Sequence, residues 1–558
     1  MVERIFRLIH REIRGIHEAA YLLGLFALLS QILALVRDRL LAHLFCASVS
    51  LDVYYAAFRI PDLIFVAIAS FVSAYVLIPF FTEYAAESSA RAKAFLDTVF
   101  SYFFLVMTLG SAAAFFLTPQ ILSFFFPTLY ASPLGHEFVL LSRMLLLQPI
   151  LLGISSLFST VTQVYQKFIL YAISPVLYNV GIILGAVFFY PLWGIVGLGV
   201  GVVLGAALHV GIQTPFVVSG GFSPRFRFKI PFSEIRRVLA LSLPRTLGLS
   251  ANQLSLFALI AFAAVLGEGA ISVFNLSFNL QAVPLAIVGV SYSVAAFPTL
   301  ARLFSSGKRE EFFGHMVTAA RHIIFWSLPI AALFIVLRAQ IVRVILGSGA
   351  FDWSDTRLTA AALALFSVSL MAQGIVLLFA RGYFAAGNTV KPLLVNVLSA
   401  FLAVGGSYIL VHLFQSNASW RLFVESVLRV EHIEGTVALM LPLGYSLASL
   451  VNAFVLYLFF RFDFKDFPSG LAATFFQSIV GALAMGVTAY ACLNVFNKIF
   501  DIDTVLGIFA QGLFAGLLGI LSGVLLLRLL ESRELSEISS ALHRKFWKTQ
   551  TVLPDQEL

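Results

Sequence analysis

About fourteen stretches of roughly 20 or more mostly apolar residues follow one another along this chain, each separated from the next by a short polar connection. They lie at 19–46, 53–82, 95–118, 138–164, 169–190, 193–217, 238–266, 270–300, 314–337, 357–384, 390–414, 437–460, 471–496 and 504–530. A water-soluble fold of 558 residues could not hide so much apolar surface, because its surface grows too fast with size. Hydrophobic residues make up 60% of the chain and charged residues only 11%, against about a quarter charged in typical soluble domains. Lipid supplies the missing solvent. In a bilayer every backbone polar group must be paired within the protein, so helices or a closed barrel are the spanning choices. Continuous apolar runs, without the period-two alternation of barrel strands, select helices. The expected fold class is therefore all-α integral membrane, with about 14 transmembrane helices.

The basic residues carry topology. Net charge is +8, but most Lys and Arg sit in connections between apolar runs, so they read as orientation signals rather than as a nucleic-acid surface. With the N-terminus in the cytoplasm, inside segments hold about 25 basic residues and outside segments about six. Arg225, Arg227, Lys229, Arg236 and Arg237 crowd one inside connection; Arg338, Arg343, Arg357, Arg421, Arg429 and Lys498 are the outside set. Both termini are expected to be cytoplasmic. Residues 1–18 are basic and amphipathic (Arg4, Arg7, Arg11, Arg14), suiting a helix on the cytoplasmic membrane face or a frayed tail. No small-residue cleavage site follows them. Cys46 and Cys492 are the only cysteines, which excludes a disulfide framework or a cysteine metal site.

Two echoes point to duplication. Pro175-Val-Leu-Tyr-Asn179 in span five matches Pro392-Leu-Leu-Val-Asn396 in span eleven, each after a short polar turn (Gln166-Lys167 and Gly387-Asn388). Ile78-Pro79-Phe80-Phe81 in span two matches Phe297-Pro298-Thr299-Leu300 in span eight. Both offsets are six spans. This predicts two pseudo-symmetric six-helix lobes with a substrate site between them. The expected organisation is a basic N-terminal segment (1–18), an N-lobe (19–217), a basic cytoplasmic linker (218–237), a C-lobe (238–460) with a polar outside insertion (415–436), two C-terminal helices (461–530) and a cytoplasmic tail (531–558).

Charge inside a span costs about 2.5–3.5 kcal/mol on insertion scales and faces a partner or a wet space. Span one carries Arg37-Asp38-Arg39. Arg37 suits an anion ligand, because its planar fork grips phosphate or carboxylate; equally, an Arg–Asp pair could hold helices together, with Arg39 snorkelling. Asp52 stands where a carboxylate could cap span two, and Arg59-Ile-Pro61 follows on nearly the same face. Pro61 and Pro79 predict bending of that span. Pro244-Arg245 opens span seven, with Asn252 and Gln253 two turns on. Asn275 and Asn279 share a face of span eight, for a polar cavity or for interhelical bonding, and Gln281 follows. Arg381 ends span ten and is expected at the cytoplasmic interface. No Walker loop, HExxH or GxSxG is present, and the ten histidines show no metal spacing, so no catalytic site, cofactor or metal is expected.

Leu33-Ala-Leu-Val-Arg-Asp-Arg-Leu-Leu-Ala-His-Leu-Phe45, Asp52-Val-Tyr-Tyr-Ala-Ala-Phe-Arg-Ile-Pro-Asp-Leu63 and Ile78-Pro79 together resemble the MurJ (MviN) lipid II flippases. Arg143 before Pro149, Pro244 with Gln253, and Arg381-Gly-Tyr-Phe-Ala-Ala-Gly-Asn-Thr-Val-Lys-Pro392 extend the resemblance over almost all the spans. It implies the multidrug/oligosaccharidyl-lipid/polysaccharide (MOP) exporter fold, with two extra C-terminal helices forming a groove for a lipid tail. It implies movement of lipid II, the undecaprenyl-pyrophosphate-linked peptidoglycan precursor, across a bacterial inner membrane, in the company of membrane lipids and cell-wall synthesis proteins. Arg37 carries over as a head-group ligand, Asp38 and Asp52 as its polar support or gating partners, and Arg59 stands at a basic position of the family. Arg245 and Asn279 complete the substrate-binding set. Three family arginine positions are uncharged here, at Gln31, Phe65 and Asn279. Rival expectations are an exporter of another polyprenyl-linked oligosaccharide, which would explain the altered site, and a membrane scaffold that no longer transports. A membrane-embedded transferase would need an acid or metal cluster that the sequence lacks.

Overall fold

A computed structural model describes residues 16–69, 74–227, 232–467 and 470–547. Every regular element among them is helical. Eleven helices are long and apolar enough to cross a membrane, and the pair Trp353–Ser367 and Leu370–Ala385, bent by 42°, adds a twelfth. The 30-residue helix Ile16–Phe45 covers the first apolar run, and helices Val49–Ala57, Arg59–Ile64 and Ala74–Glu87 lie along the second. Helix ends overrun the apolar runs: span three is the 37-residue helix Ser89–Phe125, and span seven begins at Phe232. Residues 1–15 and Lys229 lie outside the described residues.

Span two breaks where its sequence demands it. Pro61 has no N–H to give the Ala57 carbonyl, and helix Val49–Ala57 ends there. Helix Arg59–Ile64 restarts and passes into a π-helical turn at Phe65–Ala69. Span eight repeats the device: Pro284 precedes a π-helical turn at Ala286–Val290. The turns before spans five and eleven repeat as well. Left-handed Gln166 (φ 56°) and Gly387 (φ 76°) each end a helix. Lys167 N–H bonds the Thr162 carbonyl at 2.7 Å, and Asn388 N–H bonds that of Tyr383 at 2.9 Å. The duplication is thus written in the backbone at the six-span offset.

Two compact units share the chain. One comprises Met1–Leu280, Ile345–Ala362 and Thr389–Ala448; the other Gln281–Val344, Leu363–Asn388 and Ser449–Leu558. In the first, helices Phe168–Leu184 and Ile195–Gly211 touch backbone to backbone: a Cβ on Gly181 would lie 2.2 Å from Gly205 Cα, and one on Gly201 2.4 Å from Gly185 Cα. Close approach of small residues replaces the hydrophobic drive that lipid removes. The polar insertion at 415–436 contains helix Ala418–Leu428, capped by Asn417 and closed by left-handed Arg429 (φ 58°).

In the second unit, Gly289 approaches Gly374, and Arg381 donates a hydrogen bond to Ser293 Oγ from span eight. The helices Leu471–Phe496 and Val505–Leu529 pack along each other, with Gly519 and Gly523 against Met485. The described part of the tail is helical. Helix Arg533–Trp547 docks through Glu534, which accepts from Arg321 Nε (2.7 Å), Thr474 Oγ1 (2.7 Å) and Ser532 Oγ (2.9 Å).

Candidate functional site

The charged residues of spans one and two lie in the first unit and form two linked clusters. Near the end of helix Ile16–Phe45, the Arg37 side chain curls back on its neighbour, and Nε and Nη2 reach Asp38 Oδ1 at 2.9 and 2.8 Å. Backbone positions one residue apart point about 100° apart on a helix, so the contact uses the length of the arginine stem. Nη1 donates to Asn179 Oδ1 at 3.1 Å, and Asn179 Nδ2 bonds Ser30 Oγ at 3.3 Å and the Pro175 carbonyl at 3.1 Å. The other Asp38 oxygen accepts from Asn279 Nδ2 at 3.0 Å. Spans one, five and eight therefore meet at one ion pair. Asp38 is buried and Arg37 keeps 20% of its side chain exposed. A guanidinium has five N–H groups; three of Arg37's are used in these bonds, and the other two lie one on each terminal nitrogen.

Arg59 is placed by the break in span two. The interrupted helix leaves carbonyls without intrahelical partners, and Arg59 Nε donates to that of Tyr55 at 3.2 Å. Its Nη2 donates to Asn275 Oδ1 at 3.0 Å. Arg59 and Asp38 thus engage Asn275 and Asn279, on one face of helix Ala270–Leu285.

Asp52 has a different post. Its oxygens accept from Gly269 N–H (2.8 Å), Ser272 N–H (2.7 Å) and Ser272 Oγ (2.6 Å). It caps helix Ala270–Leu285 rather than its own helix, from 217 residues away. Gly269 is required there: its φ is 77°, and a Cβ would lie 2.2 Å from the Ala47 carbonyl oxygen. All three of Asp52's contacts go to the start of that helix. Asp52→Ala is expected to cost about 2 kcal/mol or more, since a cap is lost and three buried donors are orphaned. The thermal midpoint should fall while head-group affinity of the folded fraction stays unchanged; melting in detergent beside a binding titration checks both. Arg39 donates to the Ile345 carbonyl at 3.1 Å instead of snorkelling. Arg245 belongs to helix Phe232–Ala263, but its side chain lies outside the described residues.

The sequence marks Asn179 as an echo of Asn396 and as part of the Gln166-Lys-Phe…Pro175…Asn179 resemblance to the family, but not as a partner of Arg37.

Comparison with known proteins decides the lineage. The family model for "Lipid II flippase MurJ" matches residues 41–419. The chain belongs to the MurJ family of lipid II flippases. A Burkholderia cenocepacia relative named "Lipid II flippase MurJ" is 26% identical over 484 residues, covering 84% of this chain and 89% of its own. A Buchnera aphidicola relative named "Probable lipid II flippase MurJ" is 25% identical over 502 residues, 85% of this chain and 98% of its own. Among solved structures, "Lipid II flippase MurJ, inward closed conformation" superposes with a TM-score of 0.70 at 20% identity, over 95% of this chain and all of that one. A multidrug resistance MATE transporter of the MOP superfamily gives 0.63 at 15% identity, over 79% of this chain and 96% of that one. The MurJ-family member thus has the MOP fold, and is a multi-pass membrane protein of a transporter family.

Proposed function

We propose that this chain carries lipid II from the cytoplasmic to the outer leaflet of a bacterial inner membrane by alternating access, with both termini in the cytoplasm. The observation that carries the reading is the family match over 41–419. The cluster around Arg37 supports it chemically. A pyrophosphate-linked sugar-peptide needs cationic donors at membrane depth, whereas its polyprenyl chain is at home in lipid. Arg37 keeps two N–H groups for phosphate oxygens, while Asp38 and Asn179 fix the plane of its guanidinium. Asn279 holds Asp38 from the other side, and Arg59 adds a second guanidinium bonded to neutral oxygens. No bond in the cargo is made or broken: binding, reorientation and release are the whole task. Cell-wall synthesis proteins would be its neighbours as suppliers and consumers of the lipid.

One observation favours a second reading, export of another polyprenyl-linked oligosaccharide. Three family arginine positions hold Gln31, Phe65 and Asn279, and each charge-assisted bond lost is worth about 1.5–3 kcal/mol. Complementation separates the two. Expressed in a bacterium depleted of its lipid II flippase, the chain should restore growth and wall synthesis. Membrane-inserted protein that leaves the cells to lyse would favour the second reading.

A further inference from the structure

Helix Ala418–Leu428, in the polar insertion, is fastened to the ends of three spans. It starts one residue after span eleven (Val390–Ser416), and that residue, Asn417, accepts from Trp420 N–H at 3.0 Å. In its middle, buried Glu425 accepts from Thr436 Oγ1 at 2.8 Å, and Thr436 is the first residue of span twelve (Thr436–Asp463). Just past its end, the Arg429 carbonyl accepts from Arg357 Nε at 3.1 Å, near the start of helix Trp353–Ser367, which opens span ten. Its 11 residues make a rod about 16 Å long. A rod tied at start, middle and end to three span tips lies across those tips, along the membrane surface.

The faces of this helix differ. Val424 and Leu428 are buried beside Glu425. Ser419 and Ser426, seven residues apart, are exposed, and Leu422 flanks them on the far side. Between the buried face and the serines, Trp420, Phe423 and Val427 make one stripe at i, i+3 and i+7. Phe423 and Val427 are 59% and 60% exposed, and the rings of Trp420 and Phe423 lie 5.9 Å apart. Large apolar side chains held in water are unfavourable. What covers them follows from where the helix sits. Span eleven is the least buried of the eleven single-helix spans, with only 22% of its most apolar stretch buried, so the helix leaves from the lipid-facing rim. Tyr408 and Ile409, about two turns before the end of that span, are 65% and 66% exposed. The lipid that covers them reaches the stripe. Tryptophan beside apolar residues, next to a polar face, is also the composition that suits headgroup depth.

We infer that helix Ala418–Leu428 lies in the membrane interface, with Trp420, Phe423 and Val427 against phospholipid and Ser419 and Ser426 facing water. The leaflet is the one at this end of spans ten to twelve, the outer one on the orientation proposed above. The partner of this surface is the lipid itself. The inference goes beyond the carrier reading and does not depend on the cargo.

The test puts an environment-sensitive fluorophore on single cysteines, Phe423→Cys, Val427→Cys or Ser426→Cys, in the full-length chain carrying Cys46→Ser and Cys492→Ser. All three positions are exposed, so the labels leave the core untouched. The proteins are placed in vesicles of phosphatidylethanolamine and phosphatidylglycerol. Quenching is read with iodide on both sides, and separately with a phospholipid bearing a nitroxide near its headgroup. At 423 and 427, quenching by the nitroxide lipid and protection from iodide are expected; at 426, the reverse. Iodide quenching at 423 and 427 equal to that at 426 would overturn the inference and leave the stripe to a protein partner. Nitroxide quenching at 426 equal to that at 423 would overturn it too, because the helix would then be immersed on every outward face. Lipid II exchange is a separate readout, so either reading can fail while the other stands.

Discussion

Replacing Arg37 with alanine is expected to lower lipid II exchange at least about 100-fold, because two charge-assisted bonds to phosphate, at about 1.5–3 kcal/mol each, disappear together. The loss has a second source. Asp38 would keep Asn279 Nδ2 but lose both guanidinium contacts, leaving a buried carboxylate facing the approaching anion. Breaking a buried pair from one side costs about 3–5 kcal/mol, so part of the effect will appear as lower stability. Arg37→Lys separates the parts. Lysine keeps the charge near Asp38, but its single ammonium cannot bond Asp38 and Asn179 in the arginine's planar geometry while offering two further N–H groups. Stability should largely return and exchange only partly. Transport by wild type, Lys and Ala proteins, each normalised to folded protein, would show the order.

The second large effect lies far along the chain. Arg321→Ala should destabilise the protein by about 3–5 kcal/mol, since Glu534, 1% exposed, would lose its cation while staying buried. A matched apolar pair, Arg321→Met with Glu534→Leu, should recover most of that stability. Acid gives an independent check. Burial by itself pushes the Glu534 carboxyl up, but hydrogen bonds from Thr474, its own backbone N–H, Arg321 and Ser532 outweigh it and hold the group below its ordinary value of 4.5. Its folded-state pKa is depressed, so its contribution is complete above 4.5 and is lost as pH falls through the folded value. The wild-type melting temperature should drop more steeply below pH 4.5 than that of Glu534→Gln. Parallel curves for the two proteins would show that the carboxylate contributes nothing.

Much of this was legible in the sequence, and the reasons for the rest are specific. Apolar run length placed the spans because lipid enforces it at every residue. It missed the ends of Ser89–Phe125 because a helix continues into polar sequence once its ladder is running. Pro61 announced the break in span two correctly, since the missing N–H is a covalent fact. Asp52 was legible as a cap, but the helix it caps is fixed by tertiary contact at Gly269 and Ser272. The Arg37–Asp38 contact needed the reach of a side chain that helical geometry alone ignores, and Asn179 reaches it from another span. Glu534 looked like a solvated charge in a polar tail; only the fold brings Arg321 and Thr474 to it.

The most direct measurement is leaflet exchange of lipid II by the purified wild-type chain in vesicles, under imposed voltage and ion gradients, against empty vesicles and a different polyprenyl-linked glycan. Exchange of lipid II above both controls is the predicted result, and it would mean that Gln31, Phe65 and Asn279 are compatible with lipid II transport. Correctly inserted protein that moves the other glycan, or nothing, under every gradient would contradict the account.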